Sequence, residues 1–139
     1  MNDVFRLVSQ SINRSLNPSP SPFGQWLSPI VREVSRHSLT LEYEARPEML
    51  NPFRGVHGGV ISAMFDETTG MTMAVRRGLV NFSTISLNVS YISKPSAPSN
   101  LFVTSKVIKE GKGLSFIDCE MKSDDQHVFA RSNSILTVL

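Results

Sequence analysis

The 139-residue chain carries 14 Lys and Arg against 12 Asp and Glu, a formal charge of +2, with 40% hydrophobic and 19% charged residues. That composition gives one buried core without need of a second domain, and basic residues this few and this scattered exclude a nucleic-acid stripe. The single cysteine excludes an intrachain disulfide.

No apolar run is long enough to cross a bilayer and Met1 to Ile12 lacks the apolar stretch of a signal peptide, which predicts a cytoplasmic protein with no membrane partner. Val4, Phe5, Leu7, Val8, Ser11, Ile12 and Leu16 mark an amphipathic helix that docks on the domain. Asn17-Pro18-Ser19-Pro20-Ser21-Pro22 then forbids helix and strand alike, because each proline lacks a donor and biases its predecessor toward extended geometry. Residues 1–22 therefore read as helix plus Pro/Ser linker, and residues 23–139 as the domain. In the aromatic segment Phe23 to Leu27, Trp26 is a packing anchor. Pro29 to Ala45 is a half-buried strand, with Leu39, Leu41, Tyr43 and Ala45 alternating against Thr40, Glu42 and Glu44. His37 lies in its solvated lead-in.

Arg46 to Arg54 is loop, punctuated by Pro47 and Pro52. Taken alone, Asn51 reads as a turn cap ahead of Pro52. His57-Gly58-Gly59 opens a helix running to about Arg77, whose apolar residues lie all round the wheel, so that it is buried on most sides. The amides of Gly58 and Gly59 lie at the N-terminus, where unpaired donors and the macrodipole favour negative charge and would polarise a carbonyl oxygen. Asp66 then sits where charge is costly, a condition common among catalytic acids. Its wheel neighbours Gly59, Ser62, Ala63, Thr69 and Gly70 are small and leave room for a ligand or a second helix. Glu67 is the rival acid, about 100° away on the wheel. Gly78 stops the helix, and Arg76 and Arg77 complement the negative end of its dipole with no other explanation needed.

Phe82 to Ser93 alternates strictly, with Ile85, Leu87, Val89 and Tyr91 on one face and Thr84, Ser86, Asn88 and Ser90 on the other. Lys94 to Asn100 closes it as a turn. Leu101 to Glu110 and Leu114 to Ser123 form a hairpin about Glu110-Gly111-Lys112-Gly113, and Val128 to Val138 is the last strand. Cys119 shares the inward face of Ile117 and Met121 and is a core residue. Three widely spaced histidines give no metal-ligand spacing, so no metal and no cofactor are predicted. The order of elements is α+β: sequential strands joined by short hairpins make an antiparallel sheet wrapped round one long helix. One small sheet cannot cover so apolar a helix, which predicts self-association with helices side by side.

Asn51, His57-Gly58-Gly59, Asp66 and the run Ser83 to Tyr91 together resemble the hotdog-fold acyl-CoA thioesterases of the phenylacetate-pathway, PaaI-like type. The resemblance implies a hotdog domain with an extra N-terminal helix, acyl-CoA as substrate, and a dimer or dimer of dimers. It implies that Gly58, less surely Gly59, polarises the thioester carbonyl and that Asp66 of a neighbouring subunit is general base or nucleophile. It assigns His57 and Asn51 to fixing the thioester, Thr84 to positioning water, and Lys109 and Lys112 to contacts with the nucleotide of coenzyme A. A non-catalytic acyl-CoA sensor is the alternative. An enoyl-CoA hydratase ranks lower because no histidine follows Asp66 until His127.

Overall fold

Helix α3, Gly58–Arg77, is the axis of the molecule. The computed structural model describes residues 1–16 and 21–139. Before α3 come α1 (Asp3–Gln10), α2 (Pro22–Leu27), β1 (Ile30–Val34), β2 (Ser38–Ala45) and a 3-10 turn, Pro47–Met49. After it come β3 (Phe82–Tyr91), β4 (Ser99–Glu110), β5 (Leu114–Lys122) and β6 (Val128–Val138). The six strands form one antiparallel sheet in the order β1-β2-β4-β5-β6-β3, wrapped against α3 in the hotdog arrangement.

The sheet and α1 bury Ile61, Met64, Phe65, Met71, Met73 and Val75 of α3, with Val60 partly buried beside them. Three threonines stand among them, each returning its hydroxyl proton to the carbonyl four residues back. Thr68 Oγ1 also lies 2.9 Å from Tyr43 Oη, Thr72 Oγ1 lies 2.6 Å from Ser105 Oγ, and Thr69 meets Cys119 at 3.5 Å. These bonds meet the condition for burying hydroxyls at all. Burial pushes the Cys119 thiol up to about 11, consistent with a core residue.

Several expectations change. The stretch from Pro29 to Ala45 is two strands, because Ser35 and Ser38 tie a tight turn at the polar residues between them. The proposed linker lies outside the described residues at 17–20. Its end is not irregular, since Ser21 caps α2 through Gly24 N (3.0 Å) and Pro22 occupies the first helical turn, where a missing N–H costs nothing. Helix α1 stops at Gln10, and the chain beyond it runs along β1, bridging Ile12 to Val31 and Ser15 to Ile30. Lys94 to Asn100 is not a hairpin: it carries the chain from edge strand β3 back to the middle of the sheet, and β3 pairs with β6.

One sheet edge is therefore covered by the protein's own residues 12–16, while the other, the ten-residue β3, is open. Among the described residues no helix is long and apolar enough to cross a membrane.

Candidate active site

At the start of α3 the chain is held by His57, the N-cap. Its amide donates to Met49 O (2.8 Å), and its carbonyl accepts from Val60 N (2.9 Å) and Ile61 N (3.1 Å). Its Nδ1 accepts from Gly59 N (2.9 Å). A backbone amide can only donate, so Nδ1 is bare and the ring proton sits on Nε2. Three of the four leading amides are thus consumed. Gly58 N–H is the one left without a partner among the described residues, at the positive end of a 20-residue helix. Of the two glycines expected to face a ligand, Gly59 the less surely, only Gly58 has an amide to offer.

Both glycines also answer to their own chain. A Cβ on Gly58 would stand 3.3 Å from the Tyr91 ring, and one on Gly59 would stand 3.1 Å from His57 Nδ1. In the preceding loop Asn51 Oδ1 accepts from Phe53 N (2.9 Å) and Gly55 N (3.1 Å), the turn-capping geometry, which leaves only the Nδ2 protons for another partner.

Asp66 is exposed in the single chain, not lodged in an apolar interior. The large apolar residues that suggested a costly position, Ile61, Met64, Phe65, Met71, Met73 and Val75, are buried under the sheet and α1, away from Asp66. The outward strip that remains, Gly59, Ser62, Ala63, Asp66 and Glu67, is small and polar. Two supposed open neighbours are filled from within: Thr69 is buried against Cys119, and the Phe82 ring lies 3.6 Å from where a Cβ on Gly70 would be. Thr84 Oγ1 donates to Asp66 Oδ1 at 2.8 Å and so orients the carboxylate.

That bond exists because β3 does not alternate strictly. Thr84 pairs with Leu136 and Ser86 with Ile135, so Ile85 is an extra residue, a bulge that reverses the faces. Thr84 thereby joins Leu87, Val89 and Tyr91 on the helix side. Sequence reading missed the bulge, and with it the contact of Tyr91 Oη with Ser62 Oγ (2.6 Å) and Gly58 O (3.1 Å). A single extra residue leaves no mark in the composition of a strand.

Glu67, half-buried, has its carboxyl raised by desolvation and then by the neighbouring Asp66 charge. Lys109 and Lys112 are exposed on the β4–β5 hairpin, at the opposite end of α3, about 28 Å along the axis from Gly58 at 1.5 Å per residue. Arg76 and Arg77 do more than answer the helix dipole. Both pair with Glu110, Arg77 through Nε at 2.8 Å, and dock the hairpin on the helix. Within one chain the structure brings together Gly58, His57 and Tyr91 at one place and Asp66 with Thr84 at another, two turns on. Lys109 and Lys112 join neither.

The model of the thioesterase superfamily matches residues 54–130, more than half of the chain, and the protein belongs to that superfamily. Among curated relatives it is 27% identical over 108 residues to a putative esterase of Caenorhabditis elegans, covering 77% of this chain and 64% of that one. It is 26% identical over 81 residues to human acyl-coenzyme A thioesterase 13, covering 58% and 57%. The matches thus span under two thirds of those relatives. The fold is that of the Escherichia coli PaaI protein from the phenylacetic acid degradation operon, with a TM-score of 0.84 at 14% identity over 98% of this chain and 96% of that one. A Streptococcus mutans protein bound to acetyl-CoA superposes with a TM-score of 0.80 at 14% identity, over 89% and 95%.

Proposed function

We propose that the protein hydrolyses acyl-CoA thioesters at a site shared between two copies of the chain. The observation that carries this is the separation of two complementary groups. Gly58 offers one unpaired amide at a helix N-terminus, and Asp66 offers an oriented carboxylate eight residues further along the same helix, about 12 Å away along the axis. That is too far to serve one carbonyl within a chain. Two helices packed antiparallel about Ser62 bring the Gly58 of each opposite the Asp66 of the other. The outward strip of Gly59, Ser62 and Ala63 permits close approach, and the open β3 edge gives the second copy a strand to pair with. Ile85, Tyr91 and Ile92, 58%, 53% and 55% exposed, suit burial there. Superfamily membership and the acyl-coenzyme A thioesterase relatives favour this substrate class.

In this reading Gly58 N–H and the outward Nε2–H of His57 receive the thioester carbonyl oxygen, with an Nδ2 proton of Asn51 as a further donor. Asp66 of the partner copy takes the proton of a water as it adds to the carbonyl carbon, or itself adds as nucleophile. The C–S bond then breaks and the electron pair leaves on the coenzyme A sulfur, which takes up the proton released from water. On the nucleophilic route a water next cleaves the acyl–Asp66 anhydride to give the free acid and restore the carboxylate. Thr84, through its bond to Oδ1, sets the face that the carboxylate presents. In the antiparallel pair the partner's hairpin, with Lys109 and Lys112, lies about 16 Å beyond the Gly58 amide, on the side from which a long nucleotide-bearing thiol would extend.

A thiol-release assay across hydroxyphenylacetyl-, benzoyl- and straight-chain acyl-CoAs, beside a binding measurement, tests the reading. Turnover is expected for at least one of them, with Asp66→Ala and Asp66→Asn down by roughly a hundredfold or more and Glu67→Ala largely active. Tight binding without turnover would instead make the protein a sensor, and loss confined to Glu67→Ala would transfer the role to that acid.

A further inference from the structure

Beyond the groups given roles above, one hydrogen-bonded line at the start of α3 stands unused. Tyr91, the last residue of β3, lays its ring over Gly58 and donates from Oη to Gly58 O at 3.1 Å. With its proton committed there, the 2.6 Å contact between Ser62 Oγ and Tyr91 Oη has Ser62 as donor. Gly58 C=O and Gly59 N–H belong to one planar peptide unit, and that N–H ends on His57 Nδ1 at 2.9 Å. The line therefore runs from the Ser62 hydroxyl through the Tyr91 hydroxyl and the Gly58–Gly59 peptide to the His57 ring. Every donor points the same way, so each bond polarises the next.

We propose that Tyr91 is a positioning residue: through the Gly58–Gly59 peptide it holds His57 with Nδ1 as acceptor and Nε2–H turned outward. The hydroxyl, not the ring, carries this. An apolar ring would serve as well at the proposed contact between copies, yet Oη is directed at a carbonyl that a regular helix already satisfies through the amide four residues on. A phenylalanine would pack on Gly58 equally well and would leave the relay without its middle member. The consequence for hydrolysis rests on the role given to His57 under the proposed function, whereas the tautomer itself does not.

Nitrogen-15 histidine spectra and amide proton shifts of the free protein decide the matter, with Tyr91→Phe and Ser62→Ala as the variants. The wild type is expected to show His57 as one Nε2–H tautomer and the Gly59 amide proton displaced downfield. Tyr91→Phe is expected to move that proton upfield and mix the tautomers, with Ser62→Ala giving a smaller change in the same direction. Turnover in Tyr91→Phe falls roughly three- to tenfold in kcat, the worth of one hydrogen bond, with KM little changed. Unchanged His57 nitrogen and Gly59 amide signals in Tyr91→Phe would overturn the proposal whatever the enzyme hydrolyses. A wild type that hydrolyses no thioester would defeat the proposed function while the spectra still ruled on Tyr91.

Discussion

Gly58 can be tested one atom at a time. It is the first residue of α3, the helical position that accepts proline because its N–H has no intrahelical acceptor. The extended ψ of 134° at His57 suits a residue before proline. Gly58→Pro should therefore keep the helix and delete the one unpaired amide, lowering kcat roughly a hundred- to a thousandfold, as for other lost oxyanion donors. Gly58→Ala, which adds the Cβ against Tyr91 but keeps the N–H, is the control and should lose far less; equal losses would mean that bulk, not the donor, matters. Glu67 gives a stability test. Its folded-state carboxyl is raised, so its charged form destabilises the fold above that range, and below it the group is protonated folded or unfolded. Glu67→Gln should raise Tm at about pH 7, with the gain vanishing near about pH 4. A gain independent of pH, or a loss at neutral pH, would contradict the burial of that acid. The spacing of His57, Gly58 and Asp66 along one helix was legible in the sequence, and Thr84 came from the resemblance alone. What each atom is bonded to was not, because capture of the Gly59 amide by His57 Nδ1 depends on a side-chain rotation that spacing does not encode.

Among the elements, β3 decides most. Its ends and its polar alternation could be read from residues, but the bulge at Ile85 could not, because pairing register is a property of two strands and β6 lies some fifty residues away. Deleting Ile85 should restore strict alternation and turn Thr84 and Phe82 away from α3. The expected result is a folded sheet by circular dichroism with turnover reduced at least about tenfold, since the Asp66 carboxylate loses its donor. Full activity in that deletion would show that Thr84 has no part. Helix α3 was legible in position and length, its N-terminus marked by His-Gly-Gly and its stop by Gly78. Its burial on most sides was legible too, since only Gly59 and Asp66 are exposed along it. That Asp66 falls on this narrow outward strip was not, because a wheel counts apolar residues without regard to the side each takes. Here the methionines and Phe65 fit one sheet, and the threonines that complete the buried face look polar in sequence.

For the molecule as a whole, the order β1-β2-β4-β5-β6-β3 matters more than the count of strands. It sends β3 to a free edge and leaves β1 sheltered by residues 12–16. Local patterning favours neighbours in sequence, which is why β3 and β4 read as a hairpin, whereas α3 spans the sheet and delivers the chain to its far side. That asymmetry, with Asp66 outward on one strip of α3 and Gly58 two turns below it, is what the proposed site shared between two copies rests on. Subunit exchange between Asp66→Ala and Gly58→Pro proteins tests this directly. If each site takes its amide from one chain and its carboxylate from the other, a randomly reassorted equal mixture regains about a quarter of wild-type activity, because half the dimers are mixed and each holds one intact site of two. A mixture no more active than its two parents, with exchange verified by mass, would place both groups within a single chain and contradict the shared site.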